Sequence, residues 1–111
     1  MDRYIEWGGV RFDEPRQLVK WEPPNRAAVY AIMVRTSDDK YRLVYVGQTE
    51  NLNDRGFDNH QARKCWVTKA EGHSERLYIS CHFMPNSSES ERLKVEGDII
   101  AEEDCPCNKT D

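Results

Sequence analysis

A glutamate on the apolar side of a predicted helix is the first residue of this chain that could do chemistry. Leu93, Glu96 and Ile100 recur at the spacing of one helical face, so we expect Glu96 to turn toward the core. An ionised carboxylate there is costly unless it is paired, hydrogen-bonded or bound to a metal. Glu96 is therefore either a metal ligand or a residue at the stripe's edge that reaches water. Gly97, which weakens a helix, predicts the close approach of a neighbour.

Two tyrosines could join this carboxylate. Tyr30 and Tyr45 lie in apolar, β-rich runs, and strand tyrosines are most often packing residues. Their hydroxyls contribute to chemistry only if several polar groups converge on them. Spacing along the chain does not decide between these two interpretations.

A zinc site is the alternative chemistry that the composition allows. The cysteines and histidines are Cys65, Cys81, Cys105, Cys107, His60, His73 and His82. Their spacing fits none of the usual zinc patterns, in which two residues separate each cysteine pair. We therefore expect buried thiols, the usual state of cysteine in a reducing compartment, rather than a zinc site or disulfides.

The charge is distributed unevenly along the chain. The 111 residues carry a net charge of −4, but residues 26–69 carry +3 and residues 70–111 carry −6. A nucleic-acid surface is therefore expected in the middle third, around the basic residues Arg55, Arg63, Lys64 and Lys69. A solvated charged face would explain the same pattern.

The elements that must position these residues form one small α+β domain. Residues 1–25 are expected to form an irregular N-terminal arm with one short strand or helix, which ends at a pair of prolines, and residues 26–111 to form the domain itself. Two apolar runs, residues 27–34 and 41–47, surround polar residues 37–40. This arrangement predicts an antiparallel hairpin.

Helical segments are predicted after the hairpin. Thr49 is the expected N-cap of a helix that carries Arg55, and Gly56 is expected to kink or end it. A second helix, with poor periodicity, is expected over residues 59–69.

The last third of the chain predicts a strand over residues 77–83 and a helix over residues 88–103. Ser88 and Glu91 form the capping-box pattern at the start of that helix. No run of 18 apolar residues occurs, and the first residues lack the apolar core of a secretory signal. We therefore expect a cytoplasmic protein without a membrane segment.

Taken together, these residues resemble the GIY-YIG nuclease family, which includes excision-repair incision enzymes and homing endonucleases. Ala28-Val29-Tyr30 and Tyr45-Val46-Gly47 are similar to the two tripeptides of the family name. Arg55 follows Tyr45 by ten residues, and Leu52 with Arg55 is similar to the family's pattern of a leucine and then an arginine on the first helix. Glu96 precedes Asn108 by twelve residues, with an apolar pair and a proline between them. The resemblance covers residues 27–108.

The resemblance implies a three-stranded antiparallel sheet flanked by helices, and a divalent-metal-dependent endonuclease that hydrolyses DNA, with RNA as the other substrate class. Glu96 would hold one Mg²⁺ or Mn²⁺ ion and Arg55 would stabilise the phosphate. Tyr30 or Tyr45 would activate the attacking water. The remaining site residues would be Asn108, which orients the others, and His60, a proton carrier. Cutting both strands together would require a homodimer or a partner protein.

Several residues depart from the family pattern. Ala28 replaces a glycine, and Gln48, a candidate nucleic-acid contact, stands where many members have a lysine. His60 follows Arg55 by five residues, where four is commoner. These departures leave a second hypothesis open, in which the chain is a scaffold of weak or no catalytic activity that binds nucleic acid or a protein.

Overall fold

The computed structural model describes residues 3–38 and 40–108. The strands are β1 (Tyr4–Trp7), β2 (Val10–Asp13), β3 (Arg16–Gln17), β4 (Ala28–Ser37), β5 (Lys40–Thr49) and β6 (Leu77–Phe83), and the helices are α1 (Arg63–Lys69) and α2 (Glu89–Glu102). Turns of 3-10 helix lie at Leu18–Lys20, Leu52–Asp54, Phe57–Asn59, Ser74–Arg76 and Pro106–Asn108. The predicted α+β class is confirmed.

The main sheet is antiparallel and has the strand order β3-β6-β4-β5. The predicted hairpin is confirmed as β4 and β5, and the predicted third strand as β6; Asp39, in the predicted turn, lies outside the described residues. The expectation of three strands is wrong. Arg16 and Gln17 pair with Ile79 and Tyr78 of β6 and add a fourth strand. The two paired segments lie far apart in the sequence, so no local pattern predicts this strand.

Residues 3–25 are more regular than the predicted arm. β1 and β2 form a separate two-stranded sheet joined by Gly8 and Gly9, both with positive φ, as a two-residue hairpin turn requires. The Gly8 N–H donates to Glu103 Oε2 at 2.8 Å. A Cβ atom at position 8 would lie 2.9 Å from the Ile99 Cα atom. The hairpin β1–β2 therefore packs closely on α2.

β4 separates two apolar clusters, because all its residues from 28 to 34 are buried and their side chains alternate. The hairpin face, under β1–β2 and α2, contains Phe12, Val29, Ala31, Met33, Leu43, Val46, Ile99 and Cys105. The turn face, under α1 and the 3-10 turns, contains among others Tyr30, Ile32, Val44, Leu52, Phe57, Trp66 and Cys107. The main sheet is thus covered on both sides.

The predicted helix around Arg55 is wrong. The segment forms only the 3-10 turn Leu52–Asp54, and its N-cap is Asn51, whose side chain accepts from the Asn53 N–H, rather than Thr49. Gly56 follows with φ of 73°, a left-handed conformation that ends the turn.

The other helix predictions are closer to the structure. In the poorly periodic segment 59–69, the first residue ends the 3-10 turn Phe57–Asn59, and the helix is the shorter α1. The capping box of α2 is confirmed, because Ser88 Oγ accepts from the Glu91 N–H and Glu91 Oε1 accepts from the Ser88 N–H.

The cysteines are divided between a disulfide and two thiols. Cys65 of α1 is bonded to Cys107 of the turn Pro106–Asn108, so the expectation of free thiols is wrong for this pair. Cys81 and Cys105 are buried thiols, as expected. Neither helix in the described part of the chain has the length and apolar character needed to cross a bilayer.

Candidate active site

The glycine opposite Tyr30 holds this tyrosine against the sheet. Tyr30 pairs with Gly47 across β4 and β5. A Cβ atom at position 47 would lie 2.5 Å from both Cζ and the hydroxyl oxygen of Tyr30. Only a residue without a side chain leaves room for the ring. The glycine of Tyr45-Val46-Gly47 thus makes the space for the tyrosine of Ala28-Val29-Tyr30.

His60 joins Tyr30 to Arg55. Its Nε2 atom lies 2.9 Å from the Tyr30 hydroxyl and 2.9 Å from Arg55 Nη2, and its Nδ1 atom accepts from the Ala62 backbone N–H at 3.0 Å. Burial, with the Arg55 charge, lowers the His60 pKa to about 4. The imidazole is therefore neutral at pH 7.

A neutral imidazole cannot satisfy all of these donors, because only one of its nitrogens is an acceptor. The Ala62 N–H faces Nδ1 and the Arg55 guanidinium faces Nε2. If Ala62 donates to Nδ1, then Nε2 carries the proton and donates to Tyr30, and Arg55 faces an N–H group. An anion that accepts a hydrogen bond from Arg55 would relieve this conflict. The arrangement favours a negatively charged ligand beside Arg55.

Tyr45 lies beside this group and is the more accessible tyrosine, since it is half-buried whereas Tyr30 is 1% exposed. Its ring centroid lies 5.1 Å from that of His60. Burial and the Glu96 charge raise the Tyr45 pKa, while the charge and hydrogen bond of Arg55 oppose the rise. Burial and the neighbouring Tyr45 also raise the Tyr30 pKa. Both hydroxyls are therefore protonated at neutral pH.

The carboxylate of Glu96 turns inward, although on a different stripe from the predicted one. Leu93 and Ile100 are 48% and 36% exposed, so the expectation that they face the core is wrong. The inward stripe follows the helical spacing i, i+3, i+4, i+7 and consists of Arg92, Val95, Glu96 and Ile99. The sequence did not reveal this stripe because it begins with an arginine.

Electrostatic coupling joins Glu96 to the tyrosines. Burial raises the Glu96 pKa, and the carboxylate charge in turn raises the pKa values of Tyr45 and Tyr30. Within residues 3–38 and 40–108, the Glu96 carboxylate has no hydrogen bond or ion pair. A Cβ atom added to Gly97 would have no neighbouring atom within 4 Å, so the predicted close approach there is wrong.

The donor set suits a divalent cation held by one carboxylate. Mg²⁺ typically keeps several waters and takes only one or two carboxylates from the protein, and a half-buried carboxylate without a partner matches this need. No group of three or more His, Cys, Asp or Glu residues that could hold a metal occurs in the described part of the chain. Among the predicted site residues, Glu96 supplies the one carboxylate that such an ion would bind.

Asn108 acts on the strand rather than on the site itself. Its Oδ1 atom accepts from the Val46 N–H at 2.8 Å, and its Nδ2 atom donates to the Val46 carbonyl at 2.8 Å. Both ends of the amide are therefore used by the backbone between Tyr45 and Gly47. Asn108 fixes the C-terminal turn to β5 and thereby supports the position of Tyr45.

Gln48 is likewise engaged within the protein. Its Oε1 atom accepts from Arg92 Nε at 2.9 Å. The Arg92 side chain is 4% exposed, and its Nη1 atom donates to the carbonyl and Oγ of Ser87. Sequence reasoning missed Arg92, which ties β5 to α2 one turn before Glu96.

The basic residues predicted to contact nucleic acid lie on α1. Lys64 and Lys69 are exposed, and Arg63 is half-buried. Arg63 lines a surface cleft of about 320 Å³ together with Trp21 and Gly56. The structure thus brings one of the three toward the segment that carries Arg55.

Two aromatic residues that sequence reasoning missed enclose the site. The Phe57 ring centroid lies 4.9 Å from that of Tyr30, and the Trp66 centroid lies 4.6 Å from that of His60. The one signal in the sequence was the recurrence of rings at Phe57, His60 and Trp66 in a segment of poor helical periodicity.

No protein-family model, curated protein or solved structure with which the chain was compared matches it. A functional interpretation therefore depends on the arrangement of its own side chains.

Proposed function

We propose that this chain is a divalent-metal-dependent endonuclease of the GIY-YIG type that hydrolyses DNA phosphodiester bonds. The observation that supports the proposal is the linked group Tyr30–His60–Arg55. Tyr45 and the Glu96 carboxylate lie close enough to this group to raise the pKa of Tyr30. A permanent cation, a half-buried carboxylate and two hydroxyls are what phosphodiester hydrolysis needs.

Each residue has a role that its environment favours. Arg55 would donate hydrogen bonds to the phosphate oxygens. These oxygens are acceptors, whereas the Nε2–H group of His60 that Arg55 faces is a donor. A divalent ion bound by Glu96 would supply Lewis-acid stabilisation of the phosphate charge. Exposure favours Tyr45 as the hydroxyl that contacts the attacking water, with buried Tyr30 positioned by His60.

The test is cleavage of supercoiled plasmid in Mg²⁺ or Mn²⁺, with EDTA as the blank. We expect Arg55→Ala to lower the rate by about 10²- to 10³-fold, the usual loss when one transition-state donor is removed. Glu96→Gln should abolish metal-dependent cleavage. Glu102→Gln, an exposed carboxylate on the same helix, is the matched control and should keep full activity. Equal rates in the Glu96 and Glu102 variants would refute the proposal.

Metal binding has a readout independent of cleavage. Mn²⁺ at a concentration about 100-fold above its Kd should stabilise the wild-type protein by about 2.7 kcal/mol, and should not stabilise Glu96→Gln. The plasmid products also report on assembly. One site per chain makes nicked circles, whereas linear product at the first turnover would indicate a homodimer or a partner.

A binding scaffold is the second candidate function. The observation that favours it is Gln48 itself, whose side chain carries no charge of its own to lower a tyrosine pKa and is hydrogen-bonded within the protein to Arg92. Tight, salt-sensitive binding of DNA or RNA without metal-dependent cleavage would select this candidate.

A further inference from the structure

The segment between β2 and β4 forms a surface cleft with the end of β6. This cleft, here called the arm cleft, has a volume of about 670 Å³, within the range of about 300–1,000 Å³ of ligand pockets. Its lining residues are Asp13, Arg16, Gln17, Lys20, Trp21, Glu22, Pro24, Arg26 and Phe83. Most of them belong to residues 1–25, outside the part of the chain that resembles a nuclease.

Aromatic rings and cations alternate in the arm cleft. The Arg26 guanidinium carbon lies 3.8 Å from the centroid of the Phe83 ring. The half-buried Trp21 packs edge-on against Phe57, with centroids 5.3 Å apart. Flat guanidinium and aromatic groups at a surface are the platforms on which unpaired bases stack.

The charges of the cleft divide into a paired set and an unpaired set. Arg16 Nη1 is 3.2 Å from Asp13 Oδ2, and Asp13 Oδ1 accepts from the Cys81 N–H at 2.7 Å. Arg16 and Asp13 are therefore engaged with groups of the protein itself. Lys20 and Arg26 are exposed and form no ion pair within the described residues, so they can contact phosphate. Exposed Glu22 opposes them.

The arm cleft leads toward the candidate active site. The Arg26 carbonyl accepts from the Leu52 N–H at 2.9 Å, which fixes the cleft next to the turn that precedes Arg55. Trp21 lines both the arm cleft and the neighbouring cleft of about 320 Å³, here called the second cleft, which Gly56 and Asn59 also line. A chain lying in the two clefts would pass from Arg26 to the segment 55–60.

We propose that the arm cleft binds an unpaired nucleic-acid strand adjacent to the bond that is cut. The inference rests on the proposed nuclease function and narrows its substrate class to nucleic acid with a single-stranded flank. Bases in a duplex are stacked on each other and cannot reach the groups of the cleft. Bases of an unpaired strand can stack on Trp21 and on the Arg26 guanidinium that lies over Phe83. The N–H edge of Arg26 and the Lys20 ammonium can then contact the phosphates.

Binding is measured without metal, by fluorescence anisotropy of an oligothymidylate about 12 nucleotides long. Lys20→Ala/Arg26→Ala should raise the dissociation constant about tenfold, and should reduce the salt slope by about 1.4, since each phosphate contact contributes about 0.7 on single strands. Glu22→Gln should tighten binding. Arg42→Ala, an exposed arginine on β5 near the far end of the hairpin, is the matched control and should change nothing.

Tryptophan fluorescence locates the bound strand. The oligonucleotide should quench the emission of the wild-type protein, and the quench should disappear in Trp21→Phe, whose circular dichroism spectrum checks folding. Equal affinity of the double variant and Arg42→Ala would overturn the inference. The inference would also be overturned if the wild-type protein bound polyglutamate but no oligonucleotide, and the double variant lost the polyglutamate binding. That result would identify an acidic peptide as the ligand.

The inference and the nuclease proposal fail separately. Oligonucleotide binding that depends on Lys20 and Arg26, with no cleavage in any metal, would retain the arm cleft and refute the nuclease. Cleavage could instead depend on metal but be equally fast on duplex DNA and on DNA with a single-stranded flank, in both the wild type and the double variant. That result would retain the nuclease and refute the arm cleft as a strand-binding site.

Discussion

The two faces of the main sheet are built in different ways. The hairpin face is covered by regular elements, β1–β2 and α2. Its buried cluster consists of apolar residues such as Phe12, Met33 and Ile99, and the buried charge on its covering helix is Arg92. The turn face is covered by α1 and by 3-10 turns of three residues each. It buries a neutral histidine and a tyrosine hydroxyl next to Arg55.

The difference adds polar chemistry to one face only. On both faces, burial of apolar area favours folding, and the turn face has the larger apolar cluster. On the turn face, burial shifts the pKa values of Tyr30 and His60 away from their charged forms, which is typical of functional sites. The disulfide Cys65–Cys107 closes this second face by linking α1 to the C-terminal turn, over a sequence separation of 42 residues. Such a bond typically adds about 2–4 kcal/mol.

The largest expected effect is on the hairpin face. Phe12→Ala removes a fully buried ring and should lower the free energy of unfolding by about 3–5 kcal/mol, measured by urea denaturation. Tyr4→Ala, at a ring that is 49% exposed on β1, is the control and should cost far less. A loss below about 1 kcal/mol for Phe12→Ala would mean that the hairpin β1–β2 is peripheral to the fold.

A smaller effect is expected on the turn face. Gly47→Ala places a methyl group against the Tyr30 ring and should cost about 1–3 kcal/mol, as overpacking usually does. Because Tyr30 must move, the variant should also lose the proposed cleavage activity. Gly97→Ala is the matched control. That position is exposed, helical and open, so the same substitution should stabilise the protein by up to about 1 kcal/mol. Equal effects of the two substitutions would contradict the contact between Gly47 and Tyr30.

A third effect, absent at neutral pH, concerns the pH dependence of the turn face. The His60 pKa falls from an ordinary 6.5 to about 4 on folding. Between these values the unfolded state binds more protons, so this residue should make the protein less stable as the pH falls from 6.5 to 4. Urea denaturation across this window should show a shallower decline for His60→Gln. An NMR titration of the His60 ring that returns a pKa near 6.5 would show that the ring is not buried beside Arg55.

The sequence by itself determined the elements whose signals are local. The hairpin β4–β5, the strand β6 and the capping box of α2 follow from apolar runs, turn residues and a Ser88–Glu91 pair, each readable within a few residues. It also placed Tyr30 and Tyr45 on neighbouring strands. The local signals failed around Arg55, because the left-handed Gly56 permits only short turns where a helix is expected.

Only the tertiary structure decided how distant segments meet. The pairing of β3 with β6, the disulfide between Cys65 and Cys107, and the contact of His60 with Tyr30 join residues separated by 30 or more positions, and no short-range pattern encodes them. The same holds for Glu96. Its inward direction depends on which stripe of α2 the sheet covers, and packing against β5 and β1–β2 selected a stripe that begins with Arg92. The candidate site was present in the sequence as residues, and packing alone brought those residues together.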